Sequence, residues 1–528
     1  MAAHLSVLPI LMPLAVGALL LLIGRRRRLE AALALGGCLA LVVVALVLLV
    51  AVDSRGGSLA VTYRLGNWPA PVAIVLVADR LAALMVLLAS ILGLLNTAFA
   101  FSRWARLEPY YNALSQFLLM GLNGAFLTGD LFNLFVFFEI LLAASYGLLL
   151  HGSGERRVAV GLHYIVLNLA ASLLFLVGVS AIFGVTGTLN MAMLAERIPQ
   201  VPDGTRGLLH AGAAILAVAF LVKAAAWPLG FWLPRAYDAA VPPAAAMFTI
   251  MTKVGIYAVL RLGFLMFGEG AGVSAGFGRG CIFVIGVTTL AVGVAGVLAA
   301  RDLGRLAGYS LLISVGTLLG VIVFGDADAL AGALFYMIVS TLGAAAFFLL
   351  GGLIGQNGAD EAEEPPLLEA FDPEDEGEFT EEDERPVILS APVGILSGGF
   401  LICTLLIAGI PPLPGFLAKL AMLAPLLREP VGPVPGAAAL MAALIIGSSL
   451  FSLVALARAG IQIWWAEPER ISPTIRVGEA APLAVLLAAL LMLTVAAQAP
   501  FAFVQRTATQ ILEPSRYIEA VLGREARP

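Results

Sequence analysis

The sequence predicts an all-α polytopic membrane protein of about fourteen transmembrane helices, and three observations carry that prediction. Of its 528 residues 61% are hydrophobic and only 12% charged, far from the balance of a soluble domain. Apolar runs long enough to cross a bilayer, about 20 residues each, recur along the whole chain. Most charges fall between those runs, so the few inside them stand out.

The runs lie at 4-24, 29-52, 73-101, 110-128, 131-150, 158-184, 208-234, 241-265, 275-300, 306-324, 328-355, 387-424, 436-463 and 477-504. The first is followed by Arg25 to Arg28 without a small-residue cleavage site, so it is expected to remain as a helix rather than leave as a signal peptide. Those arginines place the first loop in the cytoplasm. Alternating sides from there gathers Arg103, Arg106, Arg156, Arg157, Arg301 and Arg305 on the same side, as the bias of basic residues requires, and puts both termini outside.

The net charge of -5 describes one loop. Asp360 to Glu384 carry 14 acidic side chains and no basic one; the remainder of the chain sets 21 acidic residues against 30 basic ones. A basic membrane body with one acidic cytoplasmic loop, 356-386, implies no nucleic-acid partner, and the composition of the loop suits a solvated segment rather than a packed one. Cys38, Cys281 and Cys403 lie far apart in apolar runs, so neither a disulfide framework nor an iron-sulfur site is expected. No metal cluster, phosphate-binding glycine loop or other cofactor motif is present in the sequence.

Two runs are interrupted. The seventh contains Trp227-Pro228-Leu229-Gly230 and the twelfth Pro411-Pro412-Leu413-Pro414-Gly415. Proline removes a helix donor and clashes with the preceding turn, so each helix should break within the membrane, where freed backbone groups need protein or water partners. The breaks lie five runs apart and share a Pro-Leu-(Pro)-Gly-Phe core. Because five is odd, units of five helices beginning at the fourth and ninth runs would enter the membrane from opposite sides, the inverted-repeat plan of transporters. The resulting division is an N-terminal three-helix segment (1-105), a first repeat (106-265), a second repeat carrying the acidic loop (266-465) and a C-terminal helix and tail (466-528).

Of the 30 basic residues all but three are arginine, and the three lysines, Lys223, Lys253 and Lys419, all sit inside apolar runs, as does Glu139. A charge at a helix centre costs about 2.5 to 3.5 kcal/mol on insertion scales and is kept for a reason. Arginine stays protonated, whereas a desolvated lysine can release its proton. The use of lysine at these positions alone points to sites that titrate, and so to a proton relay. A static structural ion pair is the plainer alternative. Glu139 near a lysine would hold it charged, and an opening and closing Glu139-Lys223 pair would act as a switch. His163 and Tyr164 are candidates for the same path, and Ser145, Tyr146, Ser172, Thr249 and Thr252 could line it. His210 reads as structural, and Asp79 and Arg80 read as a pair at the membrane interface.

The stretch Asp130-Leu131-Phe132-Asn133-Leu134-Phe135-Val136-Phe137-Phe138-Glu139, with Ser145-Tyr146, resembles the D subunits of Mrp-type multisubunit Na+/H+ antiporters. Gly66-Asn67-Trp68-Pro69-Ala70-Pro71, Val77-Ala78-Asp79-Arg80-Leu81, Thr186-Gly187-Thr188-Leu189-Asn190-Met191 and Thr252-Lys253-Val254-Gly255-Ile256-Tyr257 extend the likeness. The wider family includes the antiporter-like subunits of respiratory complex I and of membrane-bound hydrogenases. The resemblance implies a proton path from the Glu139-Lys223 pair through Lys253 to Lys419. It also implies a bacterial plasma-membrane complex with the A, B, C, E, F and G subunits of the Mrp assembly, in contact with lipid, with H+ and Na+ as transported ions and no cofactor. The long acidic loop departs from the family's usual short connection, and His163 stands where many relatives have lysine.

The function expected is therefore that of a secondary transporter subunit, not an enzyme, in which proton movement drives Na+ extrusion and serves pH and sodium homeostasis. A proton-pumping subunit of complex I or of a hydrogenase-like oxidoreductase would use the same relay with an electron-transfer driving force. A non-transporting assembly scaffold would carry the lysines as static charges.

Overall fold

The computed structural model describes residues 2-23, 26-54, 61-69, 73-102, 110-152, 154-359, 391-428, 432-464 and 475-523. Nearly all of them are helical. The N-terminal part comprises α1 (Leu8–Ile23) and α2 (Arg27–Asp53), a short antiparallel hairpin of β1 (Val61–Arg64) and β2 (Val75–Ala78), and α3 (Arg80–Ser102). Next come α4 (Tyr111–Leu127), α5 (Leu131–Leu149), α6 (Glu155–Thr186), the short α7 (Met191–Arg197), α8 (Asp203–Lys223), α9 (Trp232–Ala239), α10 (Pro242–Phe248) and α11 (Met251–Phe267). Then follow α12 (Arg279–Ala299), α13 (Leu303–Ile322), α14 (Ala327–Ala359), α15 (Ala391–Ala408), α16 (Pro414–Arg428) and α17 (Ala437–Trp464). The chain closes with α18 (Val477–Val495), α19 (Gln498–Leu512) and α20 (Ser515–Leu522).

Among the described residues eleven helices are long and apolar enough to cross a membrane, with α10 and α11 counted together, and shorter apolar helices accompany them. Helices dominate because a chain in hydrocarbon must satisfy its backbone polar groups within each segment. Outward faces are apolar too: Leu162, Val166, Leu173 and Val177 of α6 are exposed, as a lipid-facing stripe would be. The helix ends follow local chemistry. Asp130 caps α5 by accepting from the Phe132 and Asn133 amides at 2.9 and 3.0 Å, and Asn190 caps α7 in the same way. Where helices pack most closely, small residues allow it: a Cβ on Gly316 of α13 would stand 2.3 Å from the Leu290 amide nitrogen of α12.

Four local details differ from the sequence expectation. The run 241-265 is interrupted at Thr249-Ile250, which separates α10 from α11. The run 73-101 begins as the strand β2 and becomes helical at Arg80, because Val75 to Ala78 pair with β1. The run 477-504 is divided at Ala496-Ala497 into α18 and α19. The connection between the sixth and seventh runs contains a helix of its own, α7. The acidic loop lies almost entirely outside the described residues, as do Arg25, Arg103, Arg106, Ala70 and Pro71.

Candidate functional site: four charges between broken helices

Both proline-marked breaks are present. The first separates α8 from α9 over 224-231, and the second separates α15 from α16 over 409-413, each with one cis X-Pro bond, at Trp227-Pro228 and at Pro411-Pro412. They end their first half-helix alike. Ala225 and Gly409, each three residues before the cis proline, take left-handed backbone with φ of 57° and 73°. The following amides, Ala226 and Ile410, reach back to the Leu221 and Leu405 carbonyls, both at 2.9 Å, in the 6→1 closure of a helix C-terminus. Glycine is required where the chain folds back: a Cβ on Gly230 would meet the Ala225 carbonyl oxygen at 1.9 Å, and one on Gly415 the Leu406 oxygen at 2.2 Å. The freed Trp227 amide finds the Thr289 hydroxyl at 2.9 Å.

Glu139 lies on α5, half-buried, and its carboxylate accepts a hydrogen bond from the Ser172 hydroxyl of α6. Lys223 ends α8, with its Nζ 5.8 Å from the centroid of the Phe138 ring. Among the described residues no ion pair joins Glu139 to Lys223, so the expected pair is apart in this structure. Beside Lys223 lies a cavity of about 20 Å³ bounded by Phe138, Tyr164, Asn168, Lys223, Trp232 and Met251, room for about one water molecule. The buried Trp232 Nε1–H at its wall has no acceptor among the described residues, and such a donor is ordinarily satisfied by water.

Lys253 is fully buried on α11, just past the interruption at Thr249-Ile250, and its Nζ donates to the Ser314 Oγ of α13 at 2.8 Å. Ser314 in turn bonds the Ser340 Oγ of α14 at 2.9 Å. Lys419, buried on α16, donates to the Ile407 and Ala408 carbonyls at 3.3 and 3.1 Å and to the Ser449 Oγ of α17 at 2.7 Å. Those carbonyls end α15, so the ammonium sits at the negative pole of a half-helix. A second cavity, of about 30 Å³, lies between the two lysine clusters, bounded by Ser310, Ser314, Tyr336, Ser340, Ile407 and Ser452.

Tyr164 belongs to the first cavity, and its hydroxyl bonds Ser145 at 2.6 Å. His163, one residue away, faces outward from α6, with Nδ1 2.9 Å from the Ala159 carbonyl, and lies outside this cluster. Thr249 and Thr252 donate to carbonyls of their own segment, at Ala246 and Thr249. His210 stacks on Phe277 and bonds Ser274, remote from the four charges. Asp79 and Arg80 do not pair with each other: Asp79 binds the Arg261 guanidinium through both oxygens, and Arg80 binds Asp53 at 3.0 Å. Sequence reasoning missed Ser314, Ser340 and Ser449, because a serine within an apolar helix carries no signal until a partner helix is placed beside it.

A carboxylate and three lysines within apolar helices, set beside proline-marked breaks, place the chain among membrane proteins whose spans carry ionisable groups, and the comparisons narrow that class. Residues 128–445 match the model of the family described as NADH:quinone oxidoreductase/Mrp antiporter, TM, and the chain belongs to that family. It is 48% identical, over 98% of both chains, to a protein of Rhizobium meliloti (strain 1021) named as the probable D subunit of a K(+)/H(+) antiporter. It is 35% identical to the D subunit of a Na(+)/H(+) antiporter of Alkalihalophilus pseudofirmus, over 98% of this chain and 99% of that one. Among solved structures it is similar to a chain of the Mrp complex from Dietzia sp. DQ12-45-1b, with a TM-score of 0.82 and 25% identity over 99% of both chains. A chain of the archaeal membrane-bound sulfane sulfur reductase gives a TM-score of 0.83 and 25% identity, over 98% of this chain and 99% of that one.

Proposed function

We propose that the chain is the D-type subunit of a multisubunit alkali-cation/proton antiporter of a bacterial plasma membrane, and that protons pass through Glu139, Lys223, Lys253 and Lys419. The observation that carries the relay is that cavities of water size adjoin these groups, the first beside Lys223 and the second between the Ser314-Ser340 bridge that holds Lys253 and the Ile407 carbonyl that holds Lys419. Full-length likeness to antiporter D subunits supports the transport reading over a pump driven by electron transfer and over a static scaffold. The protein is then a transporter subunit rather than an enzyme, and works within a membrane complex of Mrp-type partners.

Fourteen spans with both termini external complete this reading, with α15 and α16 as one broken span and α8 and α9 as another. The matched closures of the two breaks support two inverted five-helix repeats, as does the corresponding packing of α4 on α5 and of α12 on α13. A potential of 100 mV supplies about 2.3 kcal/mol per charge moved, so an exchange that carries net charge inward drives cation export.

Relatives named for K+ and for Na+ both occur, so the cation is written as an alkali metal ion and the test includes both. Everted vesicles holding the assembled complex are energised, and the collapse of the pH gradient on adding Na+ or K+ is followed. Lys223→Ala and Glu139→Gln are expected to reduce exchange to background with normal assembly; undiminished exchange would remove both residues from the path.

A further inference from the structure

We propose that the groove between α8, α11 and α12 binds an anionic phospholipid of the surrounding bilayer, with one acyl chain in the groove and the phosphate at its Arg206-His210 end. The site is separate from the four charges and does not depend on the relay.

α8 packs on α6 and α12 on α13, and between these two pairs α11 forms the floor of a cavity of about 300 Å³. That volume is at the lower end of pockets that take organic ligands. Ala213 and Ala217 of α8, Gly263 and Met266 of α11, and Cys281 and Ile282 of α12 are among the residues that line it, and the lining is apolar almost throughout. A Cβ on Gly263 would meet nothing within 4 Å, so the floor faces open space. The mouth opens on an outward surface, with Val218 and Cys281 exposed at its rim. An apolar cavity of this kind stays dry. Its three walls belong to helices long and apolar enough to cross a membrane, so hydrocarbon of the bilayer is the filling within reach.

One end of the groove is polar. Going back along α8 from Ala217 and Ala213, the same face presents His210 and then Arg206. His210 stacks on Phe277 with ring centroids 4.2 Å apart, lies edge-on to Phe267 at 6.4 Å, both of them groove residues, and bonds Ser274 at 3.0 Å. Arg206 stands in the first turn of this 21-residue helix, the level at which a span meets lipid headgroups. Its guanidinium uses one nitrogen, Nη2, for the Val201 carbonyl at 2.7 Å and the Asp203 carboxylate at 3.0 Å. The Asp203 side chain is 91% exposed, and an ion pair so open to solvent is weak. Nε and Nη1 of Arg206 are buried without an acceptor among the described residues. Buried donors left unpaired are costly, and a phosphate offers a guanidinium two oxygens in parallel. A swing of the side chain toward the mouth would bring both nitrogens onto such a group. An anionic headgroup suits this end best, because no amine of its own neutralises the phosphate.

The test reconstitutes the assembled complex in phosphatidylcholine vesicles doped with phosphatidylglycerol, or with phosphatidylcholine, carrying a diazirine on one acyl chain. Photo-crosslinks are then located by mass spectrometry. They are expected on Leu262 and Met266 of the floor, which are buried from lipid that merely surrounds the protein. Phosphatidylglycerol should label the floor about fivefold more, the worth of one basic side chain beside an anionic lipid. Arg206→Gln should lower that labelling to the phosphatidylcholine level, and Arg206→Lys should keep most of the preference. Gly263→Phe, which fills the floor, should abolish labelling of Met266 while the exposed Leu162 and Leu173 of α6 are labelled as before, which also checks that the variant is folded. Crosslinks on α6 with the floor unlabelled by either lipid in the unsubstituted complex would overturn the proposal and give the groove to a partner subunit. Equal floor labelling by both lipids, unchanged in Arg206→Gln, would make the groove a seat for any hydrocarbon and overturn the headgroup site.

Discussion

Lys253 shows how a single residue can be legible in the sequence while its chemistry is not. Its position at the centre of an apolar run in a chain otherwise reliant on arginine marks it from composition alone. Its partner, Ser314, lies 61 positions further on, and no periodicity connects them. Charged residues announce themselves in a membrane because their burial is costly, whereas serine and tyrosine are common in helix packing and become path residues only through tertiary placement. His163 and Tyr164 illustrate the same limit from the other side. Adjacent residues on a helix point about 100° apart, and here Tyr164 lines the cavity beside Lys223 while His163 faces outward. The chemistry of the ammonium gives a sharp prediction. Lys253→Arg keeps the charge and a donor for Ser314 but cannot release a proton, so cation-driven proton exchange should fall to the level of Lys253→Ala. Exchange close to the unsubstituted rate in the arginine variant would mean that the site serves as a fixed charge.

At the scale of elements the proline-glycine breaks were readable because proline and glycine impose backbone outcomes wherever they stand. Their agreement in structure goes further than the shared residues, since Ala225 adopts the left-handed conformation that Gly409 takes at the corresponding place. The hairpin β1-β2 and the helix α7 were not readable. Val75 to Ala78 look like the start of an apolar span, and the strand exists because β1 supplies its ladder from outside that run. The break geometry predicts that Gly230→Ala and Gly415→Ala are poorly tolerated, because each new methyl would meet a backbone carbonyl rather than a side chain able to move. Overpacking of this kind costs about 1 to 3 kcal/mol. Thermal unfolding of the detergent-solubilised complex should shift downward for both, and by more than for Gly263→Ala, where a Cβ meets nothing within 4 Å. Equal shifts at all three positions would show that the break is not held by this contact.

At the scale of the whole molecule a buried ion pair ties together segments far apart in the chain. Asp79, at the start of α3, also accepts from the Ala82 amide, while Arg261 of α11 carries the Tyr257 and Tyr517 rings at 5.3 and 5.1 Å, the latter from α20. Sequence reading placed Asp79 at a membrane interface but could not supply a partner 182 residues away. The pair closes one end of the bundle: Lys253, Tyr257 and Arg261 stand four residues apart on one face of α11, so the helix that carries the central lysine is anchored at its far end to α3 and α20. Removing one partner of such a pair leaves an unpaired buried charge and costs about 3 to 5 kcal/mol, whereas replacing both with apolar or neutral groups recovers much of that loss. Arg261→Met alone should therefore lower the unfolding temperature of the complex more than Arg261→Met combined with Asp79→Asn. Additive losses in the double variant would show that the two side chains act independently and that the anchor lies elsewhere. If the coupling holds, the double variant should also exchange cations faster than Arg261→Met, because the orientation of α11 sets the distance from Lys253 to Ser314.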